Sequence, residues 1–168
     1  MLVGDAKREI LEELKRKYSI NISYDRCRLR KKSWKNPGKV YLDTQKFEDI
    51  SLFANWEMFL QELPGPEPAT SSIQLLLFVR QWCPSTLELK PFDEVLLDGT
   101  TISELKEKIS ALSGIPVENL ELAKGQSSFP CDMSVLGIHT ELDWAPQTLT
   151  VDSWPLNIYE DGHVILYR

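Results

Sequence analysis

TISELKEKISALSGIPVENLELAKG, residues 101–125, runs a helix pattern into a strand pattern with a glycine between them. Thr101 or Ser103 offers a side-chain oxygen to the first turn, and Ile102, Leu105, Ile109 and Leu112 recur at spacings of three and four. Gly114 stands where a left-handed C-terminal cap is wanted. Beyond it, Leu120 and Leu122 point to one side of an extended chain and Glu121 to the other. The apolar stripe of such a helix needs a surface to lie on, and the preceding residues supply one. IQLLLFVRQW (73–82) is rich in strand formers, Pro84 and Ser85 interrupt it, and LELKPFDEVLLD (87–98) resumes an extended pattern in which Pro91 marks a bulge or an edge. Together they read as a hairpin. LNIYEDGHVILYR (156–168) closes the chain, with Asp161-Gly162 as a hairpin-type turn signal.

Hairpin, helix, short strand, wandering loop and final strand is the order of a β-grasp module, an α+β fold in which a mixed sheet packs on one helix. Part of that order occurs earlier in the chain. VGDAKREI (3–10) aligns with ISELKEKI (102–109) at an offset of 99, matching Val3, Ala6 and Ile10 with Ile102, Leu105 and Ile109. Each helix leads to an aliphatic step, Ile20-Asn21-Ile22 or Ile115-Pro116-Val117, and then to an alternating strand, RCRLRKK (26–32) or NLELAKG (119–125). Matching order, spacing and following strand indicate a tandem duplication. KVYLD and EMFLQEL supply later strands of the first copy; its opening hairpin is missing, since only Met1 to Val3 precede the helix pattern. LPGPEPATSS (63–72) has the composition of an extended linker. The expected organisation is therefore a truncated module at 1–63, a Pro-rich linker at 64–72, and a second module at 73–168 with a long loop at 126–157. A sheet without its first two strands leaves backbone groups unpaired. The chain is then expected to be an excerpt of a longer protein, with strand exchange or a dimer as another route to closing the first module.

The 168 residues are 42% apolar with five Trp and six Phe, enough to close a core. No apolar run approaches the roughly 18 residues of a spanning helix, and the first residues lack the apolar core of a signal peptide, so a cytoplasmic or nuclear chain away from membranes is expected. Cys27, Cys83 and Cys131 are odd in number and far apart, which suggests reduced thiols rather than a disulfide framework or a zinc knuckle. The net charge of -6 is unevenly spread: residues 1–40 hold twelve Lys and Arg against five Asp and Glu, and residues 41–168 hold seven against twenty.

Candidate chemistry concentrates in SSFPCDMSVLGIHTELDW (127–144), where Cys131, Asp132, His139 and Asp143 fall within thirteen positions and His139 is one of only two histidines. A zinc site there lacks a characteristic ligand spacing, and a Ser134, His139, Asp143 triad lacks a nucleophile elbow. The stretch reads better as a structural loop, and no catalytic residue, metal or cofactor is expected. The basic run RCRLRKKSWK (26–35) is a different candidate. On a strand, Arg28, Arg30, Lys31, Lys32 and Lys35 would project as a ridge suited to an acidic protein face or to phosphates. Trp144 and Trp154, in the long loop, are candidate contacts between modules or with a partner.

GIPVENLELAKG, directly after the ISELKEKISALS helix, resembles the helix-to-third-strand passage of ubiquitin-like domains. LFVRQWCPSTLELKPFDEVLL, FPCDMSVLGIHTELDW and WPLNIYEDGHVILYR together resemble the C-terminal ubiquitin-like region of a ubiquitin-specific protease. That family implies a thiol-dependent isopeptidase whose catalytic domain lies elsewhere, and C-terminal modules that bind partners or modulate it. None of the family's catalytic residues maps onto Cys27, Cys83 or Cys131. The ending HVILYR lacks the Gly-Gly tail of a conjugated modifier, and Glu121 and Arg28 take the outward position that is apolar in ubiquitin. The resemblance thus implies a non-catalytic tandem acting in protein interaction and regulation of ubiquitin removal, with protein partners that include the parent catalytic domain. The rival expectation is a free-standing adaptor or nucleic-acid-binding module that uses strand 26–35.

Overall fold

The computed structural model describes residues 1–33, 36–50, 57–125, 131, 133–140, 142–144 and 148–168. It divides into two compact units, Met1–Ser72 and Ile73–Arg168.

In the second unit β4 (Leu75–Cys83) and β5 (Glu88–Leu97) form the expected hairpin, followed by α2 (Ile102–Ser113), β6 (Leu122–Lys124), the short helix α3 (Val135–Thr140) and β7 (Val164–Tyr167). The sheet order is β5-β4-β7-β6, with β4 and β7 parallel and the other pairs antiparallel. Pro91 sits on the edge strand β5, beside the bulge opposite Arg80–Trp82. Thr101 Oγ1 accepts the Glu104 N–H at 3.2 Å, and Gly114 turns the helix end at φ 75°. The Glu104 carboxylate in turn accepts the N–H groups of Asp98 and Gly99, tying β5 to the start of α2.

Side-chain alternation divides this unit into two apolar layers. Leu75, Leu77 and Val79 of β4, Ile165 and Tyr167 of β7 and Leu122 of β6 face α2, where Leu105 and Ile109 are fully buried. Phe78, Trp82, Ala123, Val164 and Leu166 face the other way and are covered by Cys131, Ile138 and Trp144. Cys131, Ile138 and Trp144 of the long loop thus form a second layer on the sheet, while Val151 and Leu156 join the α2 side. Asp161-Gly162 does not make a hairpin, because no strand precedes it. Its turn instead seats β7 against β4: the Leu76 N–H donates to Asp161 Oδ1, the Gly162 N–H to Leu76 C=O, and the Phe78 N–H to His163 C=O.

In the first unit α1 (Val3–Tyr18) precedes β1 (Cys27–Ser33), β2 (Asn36–Tyr41) and β3 (Glu57–Glu62), in the antiparallel order β2-β1-β3. Val3, Leu29 and Tyr41 form its buried centre, with Ile10, Met58 and Leu60 partly buried around it.

The duplication is written into the hydrogen bonds. The Val3 N–H donates to Gln45 C=O at 2.9 Å, as the Ile102 N–H does to Leu149 C=O at 2.9 Å. The Met1 carbonyl accepts from Phe47 as Thr100 does from Val151, and Leu2 bridges Lys46 as Thr101 bridges Thr150. The helices therefore correspond at the offset of 99. The strands correspond two residues further on than the sequence alignment placed them: Cys27 pairs with Glu62 where Leu122 pairs with Tyr167. An even shift keeps each side chain on its face. In these terms β3-β1-β2 is the last-third-fourth strand set of a β-grasp, without the hairpin that β4 and β5 provide in the second unit.

Gly125 is where the long loop meets the sheet. Its N–H donates to Val164 C=O at 3.0 Å, and a methyl group added there would collide with Cys131 Sγ, itself fully buried. Gly125→Ala is expected to lower the unfolding free energy of the second unit by about 1–3 kcal/mol, as overpacking does, measured by urea denaturation.

Candidate functional site

The basic strand does not form a solvent-facing ridge. Leu29 points to α1, so Arg28 and Arg30 point to the opposite face of the sheet, as alternation requires. That face is covered: Arg28 is 2% exposed and Arg30 0%. Arg28 donates from Nε and Nη2 to the Glu67 carboxylate at 2.5 and 3.1 Å. Arg30 donates from Nε and Nη2 to Gly38 C=O at 3.1 and 3.0 Å, and from Nη1 to Gln61 Oε1 at 3.1 Å. Lys31 is partly buried, and Lys32 is exposed and pairs with Glu57 at 2.8 Å. Lys35, with Trp34, lies outside the described residues. Removing the two guanidinium groups from solvent dismantles the surface on which a phosphate-binding reading depends.

Glu67 belongs to the segment 64–72, expected to be an extended Pro-rich linker. Residues 63–70 instead return across β1: the Leu63 N–H binds Arg26 C=O, the Glu67 N–H binds Asp25 C=O, and Glu67 Oε1 accepts the Ala69 N–H. Next to this strap is a cleft of about 380 Å3, lined by Lys7, Tyr24, Cys27, Tyr41, Asp43 and Glu67 among others. Lys7, 2% exposed, sits on the buried side of α1 one turn after Val3. Its ammonium donates to Cys27 C=O at 3.1 Å and to Asp43 at 2.9 Å, and lies 4.0 Å from the Tyr24 ring centre. Burial raises the Tyr24 hydroxyl pKa, helped by its hydrogen bond to Asp43. Burial likewise raises the Cys27 thiol, with Lys7 opposing only in part. A thiol held protonated is a poor nucleophile. The Lys7 cluster was not expected, although a lysine at the i+4 position of an apolar stripe was a readable sign of it.

In the second unit the stretch around Cys131 supplies packing. Cys131 is fully buried among Phe78, Trp82 and Ile138. Ser134 Oγ accepts the Gly137 N–H at 3.1 Å in the first turn of α3. Asp132 and the His139 side chain lie outside what the structure describes, and Asp143 is exposed. Among the described residues no group of three or more His, Cys, Asp or Glu is arranged to hold a metal.

The two candidate tryptophans separate. Trp144 is 7% exposed; its Nε1 donates to Ile138 C=O at 3.1 Å, and the Arg168 guanidinium lies 4.5 Å from its ring centre. It is a core residue, not an exposed anchor. Trp154 is 78% exposed, in a segment where Leu149 and Tyr159 are also exposed. Glu121, just before β6, is exposed and paired with Arg168 at 2.7 Å, whereas Ala123, on the same face within β6, is buried under the second apolar layer. Arg28 is not outward in that sense, being covered by the strap.

A helix laid on a mixed sheet, with the first and last strands parallel and adjacent in the complete copy, defines the chain as a pair of ubiquitin-like modules, the first without its opening hairpin. The chain belongs to the family described as ubiquitin carboxyl-terminal hydrolase 47 C-terminal, whose model matches residues 1–168. It is 48% identical over 169 residues to ubiquitin carboxyl-terminal hydrolase 47 of Homo sapiens, covering 100% of this chain and 12% of that protein. The corresponding Xenopus laevis protein is 49% identical over 168 residues with the same coverage, and the Drosophila melanogaster one 34% over 171 residues, covering 97% of this chain and 11% of its own length. Within the ubiquitin-specific proteases the quoted stretches suggest hydrolase 40 over its near relative 47; the matches found are to 47. The chain spans about an eighth of the length of these relatives.

Two outcomes are expected. Glu67→Ala leaves a buried guanidinium without its carboxylate and should cost on the order of 3 kcal/mol in urea unfolding, whereas Arg28→Met combined with Glu67→Gln should recover most of that loss. His163 has its pKa lowered from 6.5, first by burial and then by the charge of Lys124. The unfolded chain therefore binds a proton more readily than the folded one. Its contribution to stability is complete above pH 6.5 and drains as pH falls from there through the lowered folded value. His163→Gln should flatten that part of the stability-pH curve, measured by thermal or urea unfolding between pH 7.5 and 5.

Proposed function

We propose that this chain is a non-catalytic tandem of ubiquitin-like modules that regulates ubiquitin removal by the larger thiol protease to which it belongs, through contacts with the parent catalytic domain or with other proteins. The observation that carries this reading is the use to which the thiols are put: Cys27 is buried with a raised pKa, and Cys131 is part of an apolar layer. Side chains that would serve a nucleophilic mechanism serve packing. The coverage of both sheets on the side away from their helices adds support. Ubiquitin-type recognition through that face is closed, so partners are met elsewhere, and Trp154 is the side chain we assign to such a contact. An exposed aromatic on a long loop costs little to desolvate and contributes much on docking. All three cysteines are free, which suits the reducing cytoplasm or nucleus we assign to the parent protein.

Ubiquitin cleavage by the full-length protein should change several-fold in kcat/KM when residues 1–168 are deleted. Trp154→Ala should reproduce part of that change while altering stability by less than about 0.5 kcal/mol, as surface substitutions do. Unchanged turnover on deletion would sink direct catalytic regulation.

A further inference from the structure

We propose that the outer edge of β3, with the half-buried face of α1 beside it, is the docking site for a β-hairpin supplied by the polypeptide on the N-terminal side of this region in the longer protein. Its first strand would run parallel to β3, as β4 runs parallel to β7.

The second unit shows what that edge does when occupied. The Arg168 N–H donates across to Glu121 C=O, so backbone groups of His163, Ile165 and Tyr167 are turned the other way, toward β4, and His163 C=O takes the Phe78 N–H. In the first unit the Leu63 N–H binds Arg26 C=O in the same position of the ladder. By alternation Glu57, Phe59 and Gln61 face β1, and the N–H and C=O groups of Met58, Leu60 and Glu62 face the opposite edge. Among the described residues β3 pairs with β1 alone. The side chains agree with the backbone. Ile109 and Ile165 are fully buried beneath the β4–β5 hairpin, while their counterparts Ile10 and Leu60 remain partly exposed. The first core is open on the side where the second is closed by a hairpin.

The occupant follows from how the chain enters α1. Met1 and Leu2 make the same bonds to the loop before the last strand that Thr100 and Thr101 make directly after β5. A hairpin arriving from the N-terminal side would meet α1 as β4–β5 meets α2, without a change of path. A second copy is a poorer donor. Among the described residues the counterpart hairpin is β4–β5, whose strand β4 places Leu77 and Val79 in one buried layer and Phe78 in the other, and lending it would empty both. The inference rests on the reading that the chain is a region of a longer protein; this chain accounts for 12% of its relatives' length. It does not depend on any effect on catalysis.

Hydrogen exchange measured by mass spectrometry tests it in the full-length protein, in the 168-residue chain, and in full-length protein lacking an upstream stretch as long as Ile73–Thr100. Peptides spanning Glu57–Glu62 should exchange at least tenfold more slowly in the full-length protein than in the other two. Peptides from Leu75–Cys83 should exchange alike in all three, reporting that the second unit remains folded. Equal exchange of Glu57–Glu62 in the first two proteins overturns the proposal. So does protection that survives the upstream deletion, or protection in the 168-residue chain that rises with its concentration, since that marks a second copy. A deletion that altered turnover with no change at β3 would leave the regulatory reading standing and this one refuted.

Discussion

The parallel pairing of β4 with β7 is the contact on which the second unit depends. Phe78 and Val164 lie roughly 85 residues apart in sequence, and closing a loop of that length costs about 4 kcal/mol in chain entropy by the logarithmic rule. Backbone hydrogen bonds alone, at about 1 kcal/mol net each, offset that only narrowly. What decides the matter is that both strands are buried on both faces. Leu77, Val79 and Ile165 meet α2, and Phe78, Val164 and Leu166 meet the loop layer. Burial of each such side chain contributes about 1.5–3 kcal/mol. Asp161 and Gly162 then fix the register by binding both backbone groups of Leu76.

The first unit keeps every part of this plan except that contact. Its last strand, β3, and its third-strand counterpart, β1, are paired as in the second unit, and its helix is held to the loop by matched bonds. Without a first strand the apolar centre is smaller, and the unit compensates with polar ties. Lys7 bridges α1 to β1 and to Asp43, and Glu67 holds Arg28 from the far face. Such pairs are sensitive in a way an apolar core is not, because losing one partner strands a buried charge. The two copies of one fold thus reach stability by different physics.

The elements legible from sequence were those specified locally. Thr101, Gly114 and the stripe of Ile102, Leu105 and Ile109 define α2 with no reference to distant residues, and Pro91 announces the edge strand and its bulge. The repeat was legible because helix periodicity survives divergence, although the strands matched two residues out, which a period of two conceals. The burial of Arg28 and Arg30 was not legible. Alternation assigns a side chain to a face and says nothing of what covers that face; Arg28 is held by Glu67 of a proline-containing segment whose composition imitates a linker, and Arg30 by Gly38 and Gln61. Glu67 is joined to Arg28 across 39 residues, a distance at which composition has no signal. Trp144 and Trp154 looked alike for the same reason, being ten residues apart in one loop yet on opposite sides of the line between core and solvent.

The stretch with the most reactive composition carries the clearest lesson about how a site is defined. Cys131, Ser134, His139 and Asp143 lie close together in sequence, but their positions are governed by the need to roof a sheet. Cys131 fills the space above Gly125, and Ser134 caps a turn of α3. A nucleophile requires a base within hydrogen-bond reach and an environment that favours its anion. Cys131 is fully buried in an apolar layer with Phe78, Trp82 and Ile138, and that packing is the use the fold makes of it. By the same logic a side chain available for function in this chain must be one the fold leaves unused. Trp154, 78% exposed where Trp82 and Trp144 of the same unit are buried, meets that condition.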